Sequence, residues 1–273
     1  MKKIVFAAMA ALSIGTVTAQ VKEGTIVYER KINMYKRITD EQMRAYVPEF
    51  RTSKHMLLFS DSTSIYKAVP EDEMPEPSEG GGAGAPRVMF RMGGGDADEL
   101  YKNFAVSKSV TQTELGAKTY IIEDSIRQQQ WKLTDETKKI AGYNCRKAVT
   151  KQKQRLGVMK TTITDGHSKT DSSRSGAGAQ MTEVEVVAWY AEDLLSPVGP
   201  ESNGGLPGVI LQLDVNKGET VFTALEVKTA VNKKELKEPS KGKKVTREAF
   251  TKMQMEMMGN MQGSGGRTIR FGN

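Results

Sequence analysis

The sequence predicts a mainly β protein: a strongly curved antiparallel sheet, shaped as a bowl-like open barrel, with one short internal helix and a Met-rich helix at its C-terminal end. Three observations predict it. Short runs of apolar residues alternate with polar ones at a period of two, the signature of half-buried strands. The runs are joined mostly by hairpin-length connections, which favours antiparallel pairing over crossovers. Glycines and amphipathic strands are spread along the chain, as strong curvature requires.

Residues 1–19 read as a secretory signal: Lys2 and Lys3, an apolar run over 4–14, then Val17, Thr18 and Ala19 before Gln20. The run is too short to span a bilayer, so no transmembrane segment is expected in the mature chain. Cys145 is the only cysteine, and none stands at the cleavage site to be lipidated. The expectation is an exported protein, periplasmic or outer-membrane associated and not lipidated. Loss of Lys2 and Lys3 lowers the formal charge of +7 by two, to +5. With basic and acidic residues interspersed, that gives no nucleic-acid footprint. A lone cysteine makes no intramolecular disulfide, so core size must carry stability.

A single β domain is expected over 20–235, followed by a basic linker and Met-rich helix or tail over 236–273. Within the domain, residues 24–35 form the first strand, with Ile26 and Tyr28 on one face and Val27 and Glu29 on the other. Thr39 or Asp40 caps a short helix presenting Met43, Tyr46, Val47 and Phe50. Residues 53–59 and 62–69 flank Ser60 and Asp61 as a hairpin. The pattern collapses over 70–98, a flexible Gly/Pro-rich insert with one apolar island at 88–92. Its glycine clusters lack the spacing and strand-to-helix setting of a phosphate loop. Deleting residues 75–95 is expected to leave the thermal midpoint nearly unchanged.

Strands are expected again over 100–107 and 118–124. A polar turn separates Trp131, Lys132 and Leu133 from 138–143, and strands follow over 145–150 and 161–164. A second flexible loop is expected over 165–180. Val184, Val186, Ala188 and Tyr190 then alternate with Glu183, Glu185, Val187 and Trp189. Ser196, Pro197, Val198, Gly199 and Pro200 cannot continue that strand, because proline lacks a ladder donor. Strands 209–215 and 220–227 close a hairpin around Asn216, Lys217 and Gly218. In the tail, Val245, Ala249, Phe250, Met253, Met257 and Met261 fall near helical spacing, with Thr246 or a neighbour as cap.

The stretch between the paired aromatics and the next strand has the strongest grammar. Trp189, Tyr190, Gly199, Pro200, Gly205, Leu206, Pro207 and Gly208 read as a structural corner: aromatics plug the core and glycines let the strands cross. The alternative is a binding lip in which Trp189 and Tyr190 stack on a ligand. Gly205-Leu206-Pro207-Gly208-Val209-Ile210 resembles the signature of the GLPGLI family, exported Bacteroidetes proteins of unassigned biochemical role. Three further matches accompany it: residues 140–148, Ala188-Trp189-Tyr190, and Gly199-Pro200. Val209 departs from the leucine usual in that family. The resemblance implies a fold similar to the bowl-like N-terminal domain of some secreted bacterial N-glycanases.

No reaction chemistry stands out, and no cofactor is implied. The chain has only His55 and His167, one in a predicted strand and one in a predicted loop, a poor setting for a triad base. Cys145 reads as a small buried strand residue. Zinc would need three or four ligands at short spacing, and none appear. The leading expectation is a non-catalytic binding or assembly module of the cell envelope, its partner an envelope protein or outer-membrane transport component. Two alternatives stay open. Met253, Met255, Met257, Met258 and Met261 offer thioethers suited to Cu(I), against a plainer role as pliant packing. Carboxylates such as Glu183, Glu185, Glu192 and Asp193 offer a hydrolase if two strands bring a pair together.

Overall fold

A computed structural model describes residues 21–38, 41–45, 47–69, 98–155, 159–164, 167–172 and 181–263. The predicted signal, nearly all of the Gly/Pro-rich insert and the last residues of the tail lie outside them.

The first strand, β1 (Gly24–Asn33), runs into two single-turn helices, α1 (Met34–Arg37) and α2 (Glu41–Arg44). Asn33 caps α1 by accepting from the Lys36 amide at 3.1 Å. The predicted internal helix is therefore shorter than expected, and Phe50 opens the next strand with 42% of its surface exposed. A meander follows: β2 (Phe50–Phe59), β3 (Thr63–Ala68), β4 (Glu99–Asn103), β5 (Lys108–Leu115) and β6 (Lys118–Ser125). The second half comprises β7 (Lys132–Ile140), β8 (Tyr143–Arg155), β9 (Met159–Thr164), β10 (His167–Ser172), β11 (Met181–Ala191), β12 (Val209–Val215) and β13 (Thr220–Lys228). The chain ends in β14 (Lys243–Val245) and α3 (Arg247–Gly263).

Twelve strands share one open sheet in the order β14-β6-β5-β4-β3-β2-β1-β13-β12-β11-β8-β7, and β9 and β10 form a separate hairpin. The sheet is mixed rather than purely antiparallel, because β14 pairs with β6 in parallel. The residues between β13 and β14 carry the chain from the middle of the sheet back to that edge. Leu236 in that connection packs on Ile65, Tyr101, Val110 and Ile121. The tail is thus built into the sheet that precedes it.

Three further expectations are corrected. No strand was expected over β5, yet it pairs along its whole length with β6. The polar turn expected after Leu133 is a strand with a bulge between Leu133 and Thr137, which lets polar residues remain in an edge strand. Residues 167–172 of the expected loop are β10, paired with β9.

The main core lies between the β1–β3 region and β8, β11, β12 and β13, with Ile26, Tyr28, Phe59, Tyr190, Ile210 and Phe222 at its centre. Tyr28 donates its buried hydroxyl to the Ile210 carbonyl at 2.6 Å, tying β1 to β12. On the far side of the meander, Tyr120 and Ile122 of β6 face α3 through Phe250.

Candidate functional site

The pleat and register decide what faces the interior of the meander. Side chains alternate between faces, and cross-strand partners share one. Ile26 lies opposite Leu57, Tyr28 opposite His55, and Arg30 opposite Ser53. Leu57 in turn lies opposite Tyr66, Tyr66 opposite Leu100, and Lys102 opposite Ser109. One face therefore begins apolar, with Ile26, Tyr28 and Leu57, and turns polar towards Arg30, His55, Tyr66 and Lys102. Polar groups at inward positions cost free energy unless they are used.

They line a cavity of about 1180 Å³. Its walls come from β1 to β5, from residues 124–130, from β8, and from Glu201 and Ser202 in the connection between β11 and β12. Seven basic and four acidic side chains border it. His55 and Tyr66 are stacked nearly parallel, with centroids 5.3 Å apart, and His55 Nε2 shares a 3.0 Å hydrogen bond with the Ser53 hydroxyl. The Tyr66 hydroxyl and Arg30 Nε are buried without a hydrogen-bond partner. Orphaned buried donors of this kind cost about 1–3 kcal/mol each.

Lys102 is 6% exposed. Its ammonium donates to the carbonyls of Glu201 at 3.1 Å and Asn203 at 3.5 Å. Burial pushes its pKa down to about 8, because a low dielectric disfavours the charged form. Tyr66 is shifted the other way, above its usual range, first by burial and then by the Glu201 carboxylate.

The connection 192–208 supplies one wall of the cavity through Glu201 and Ser202. Gly205 donates its amide to the Pro197 carbonyl at 2.9 Å, and Ile210 to Val198 at 2.9 Å. Asn203 Oδ1 accepts from Gln129 Nε2 at 3.1 Å and Gln152 Nε2 at 2.9 Å, while its own amide donates to Pro200. Trp131 Nε1 donates to the Gly204 carbonyl at 2.9 Å. Glu201 has φ of +54°, a left-handed conformation that costs of order 1–3 kcal/mol outside glycine. In that position its carboxylate meets Arg30 Nη2 at 3.5 Å and its carbonyl meets Lys102. Glu201 is the hub of the site.

The motif residues themselves stand beside this cavity rather than in it. Tyr190 is fully buried in the core and Leu206 2% exposed. Trp189, on the opposite face of β11, lies under Lys138 at 4.1 Å. Gly205 has φ of +83°. A Cβ on Gly208 would sit 2.1 Å from the Ala191 carbonyl oxygen, and one on Gly199 2.8 Å from the Ile210 side chain. Sequence reasoning thus missed Arg30, Tyr66, Lys102 and Glu201. The available signal was a polar residue in an inward slot: Arg30 continues the Ile26 and Tyr28 series, and Lys102 follows Leu100.

The alternative chemistries find less. Cys145 is fully buried and its thiol is pushed up to about 11 by burial. Glu183 pairs with Lys151 at 2.8 Å and Glu192 with Arg146 at 3.1 Å. Asp124, at the cavity wall, is held below the usual carboxylate range by its hydrogen bond to Arg247 at 2.7 Å. That is the reverse of the raised pKa of a glycosidase general acid. Among the described residues, no group of three or more His, Cys, Asp or Glu is placed to hold a metal. Met253 packs with Phe250 against β6, and Met257 reaches over the β5–β6 turn near Gly116. Met255 is half-buried, and the side chains of Met258 and Met261 lie outside the described residues. No described helix is long and apolar enough to cross a membrane.

Residues 131–212 match a family described as "Protein of unknown function (Porph_ging)". The matched span runs from Trp131 through β7 to β11 and into the middle of β12, and so includes Gln152, Glu201 and Asn203 but not Arg30, Tyr66 or Lys102. The family's name, taken from Porphyromonas gingivalis, is compatible with a Bacteroidetes lineage. No curated protein matches the chain. Two solved structures of PNGF-II, in the C2 and P21 space groups, are similar at 16% and 14% identity, each with a TM-score of 0.49. They cover 86% and 85% of this chain, which spans about a third, 32% and 33%, of theirs.

Proposed function

We propose that the chain is an exported, non-catalytic binding or assembly module of the bacterial cell envelope, in which a curved, bowl-like sheet presents a donor-lined cavity. The observation that carries this reading is the cavity: four polar side chains from separate strands, two with orphaned donors, face one space. Stability alone would favour apolar residues there. The N-terminal pattern of Lys2, Lys3 and an apolar run supports export. The GLPGLI-type motif and its companions support membership of that envelope family, with the glycines serving the strand crossing and the cavity wall. The partner class that fits is an envelope protein or an outer-membrane transport component.

Crosslinking of tagged mature protein in its native envelope, with identification of what is recovered, tests the reading. A dominant envelope partner supports it. Recovery confined to the cytoplasm, or no partner across repeated crosslinkers, overturns the assembly role.

A further inference from the structure

We infer that the cavity is a carboxylate-binding site in which Glu201 acts as a built-in competitor, and that a ligand carboxylate takes its place on Arg30. The inference rests on the binding-module reading and names the ligand chemistry of that site.

Three observations converge. First, the deep groups on β1, β3 and β4 are donors, beside one buried acid, Asp98, at the cavity: the Arg30 guanidinium and Tyr66 hydroxyl have orphaned buried atoms, and Tyr66 is 7% exposed. Lys102 spends two of its three ammonium protons on backbone carbonyls. Donors without acceptors call for an anion or a carbonyl-rich ligand. Second, the anion already on Arg30 is a carboxylate. Glu201 meets Arg30 by one terminal nitrogen at 3.5 Å, with its side chain 45% exposed. That contact is long and single, whereas guanidinium binds carboxylate best through two parallel bonds. A ligand free to align can use Nε and the terminal nitrogen together, which Glu201 does not. Third, the hub is strained. Glu201 has φ of +54°, and its neighbour Asn203 is clamped by Gln129 and Gln152, so the backbone stays while the exposed side chain is released.

The surroundings favour the exchange. The acidic side chains at the cavity include Asp124, engaged by Arg247 and Arg127. When Glu201 swings out, seven basic side chains border the cavity against three acidic ones. A carboxylate beside Lys102 would also favour its charged form.

The test is an NMR titration of the mature protein, following the arginine Nε–H resonances, with citrate and glucuronate as probes and with glucose and inorganic phosphate as comparisons. Citrate or glucuronate should shift the Arg30 resonance saturably, and glucose should not. Glu201→Gln should tighten binding about two- to fivefold, the factor expected on releasing an exposed ion pair. Arg30→Met should abolish it. Tyr66→Phe, which keeps the stacked ring, should weaken it while leaving the circular dichroism unchanged, so a failure of Arg30→Met to fold would not decide the matter. No shift at Arg30, preference for phosphate, or weaker binding by Glu201→Gln overturns the inference. Carboxylate binding without any envelope partner would instead remove the assembly role and leave this site standing.

Discussion

Lys102 places an ammonium in a largely buried position, and its effect on stability has a definite sign. Its folded pKa is about 8 against an ordinary 10.5. Below about 8 both folded and unfolded chains carry the proton, so this group adds no pH dependence there. Between the two values the unfolded chain binds a proton that the folded chain does not. Stability therefore rises with pH across that window, by roughly 3 kcal/mol in total. Denaturant titrations of wild type and Lys102→Met at pH 7.5, 9 and 10 check this: the wild type should gain on the variant as pH rises, and a constant difference counts against it. The corner glycines give a second contrast. Gly208→Ala must push against the Ala191 carbonyl, 2.1 Å from its new Cβ, and should lose about 3 kcal/mol or more. Gly205→Ala meets nothing within 4 Å and should lose only about 1–2 kcal/mol for its positive φ. Gly205→Asn, which tolerates left-handed backbone, should be milder still, whereas equal losses at the two positions would refute the distinction. At this scale the glycines were legible because proline and glycine announce a crossing. Arg30, Tyr66 and Lys102 were not, because only the register of four strands shows that they share a face.

Secondary elements were legible where one face is consistently apolar. The alternation of Val184, Val186, Ala188 and Tyr190 predicts β11, and all four are buried. The spacing of Phe250, Met253 and Met257 predicts α3, and Thr246 Oγ1 does accept from the Ala249 amide at 3.2 Å. The failures share a cause. β7 carries polar residues on both faces at a sheet edge, and Lys147 to Glu136, 2.7 Å apart, shows how such a strand is held from the side. β14 is three residues long and two are lysine, so its pairing depends on what lies beside it. Phe250 meets Tyr120 edge to face, with centroids 5.6 Å apart and planes at 64°. Phe250→Ala should cost about 2–4 kcal/mol locally. Amide exchange should then accelerate in α3, β14 and β6 while β11 and β12 stay protected; uniform acceleration would show that the tail is part of the global folding unit.

The whole molecule is held together by its first strand. β1 pairs with β2 on one side and β13 on the other, so it joins the N-terminal meander to the C-terminal half. Ile26 is fully buried on that seam. Ile26→Asp buries a charge without a partner and should strip amide protection from β2 and β13 together; loss from one side alone would show two independent halves. A mainly β fold could be read from the sequence. The seam could not, because Thr25 and the Ala230 carbonyl it bonds stand 205 residues apart. That separation orders events in time. Synthesis delivers β1 well before β13, so in between the chain holds a strand edge waiting for a partner not yet made. Contacts this distant close slowly, and an open edge invites the wrong neighbour meanwhile. Mispairing is therefore most open to this chain while it is being made, before β13 covers the free side of β1.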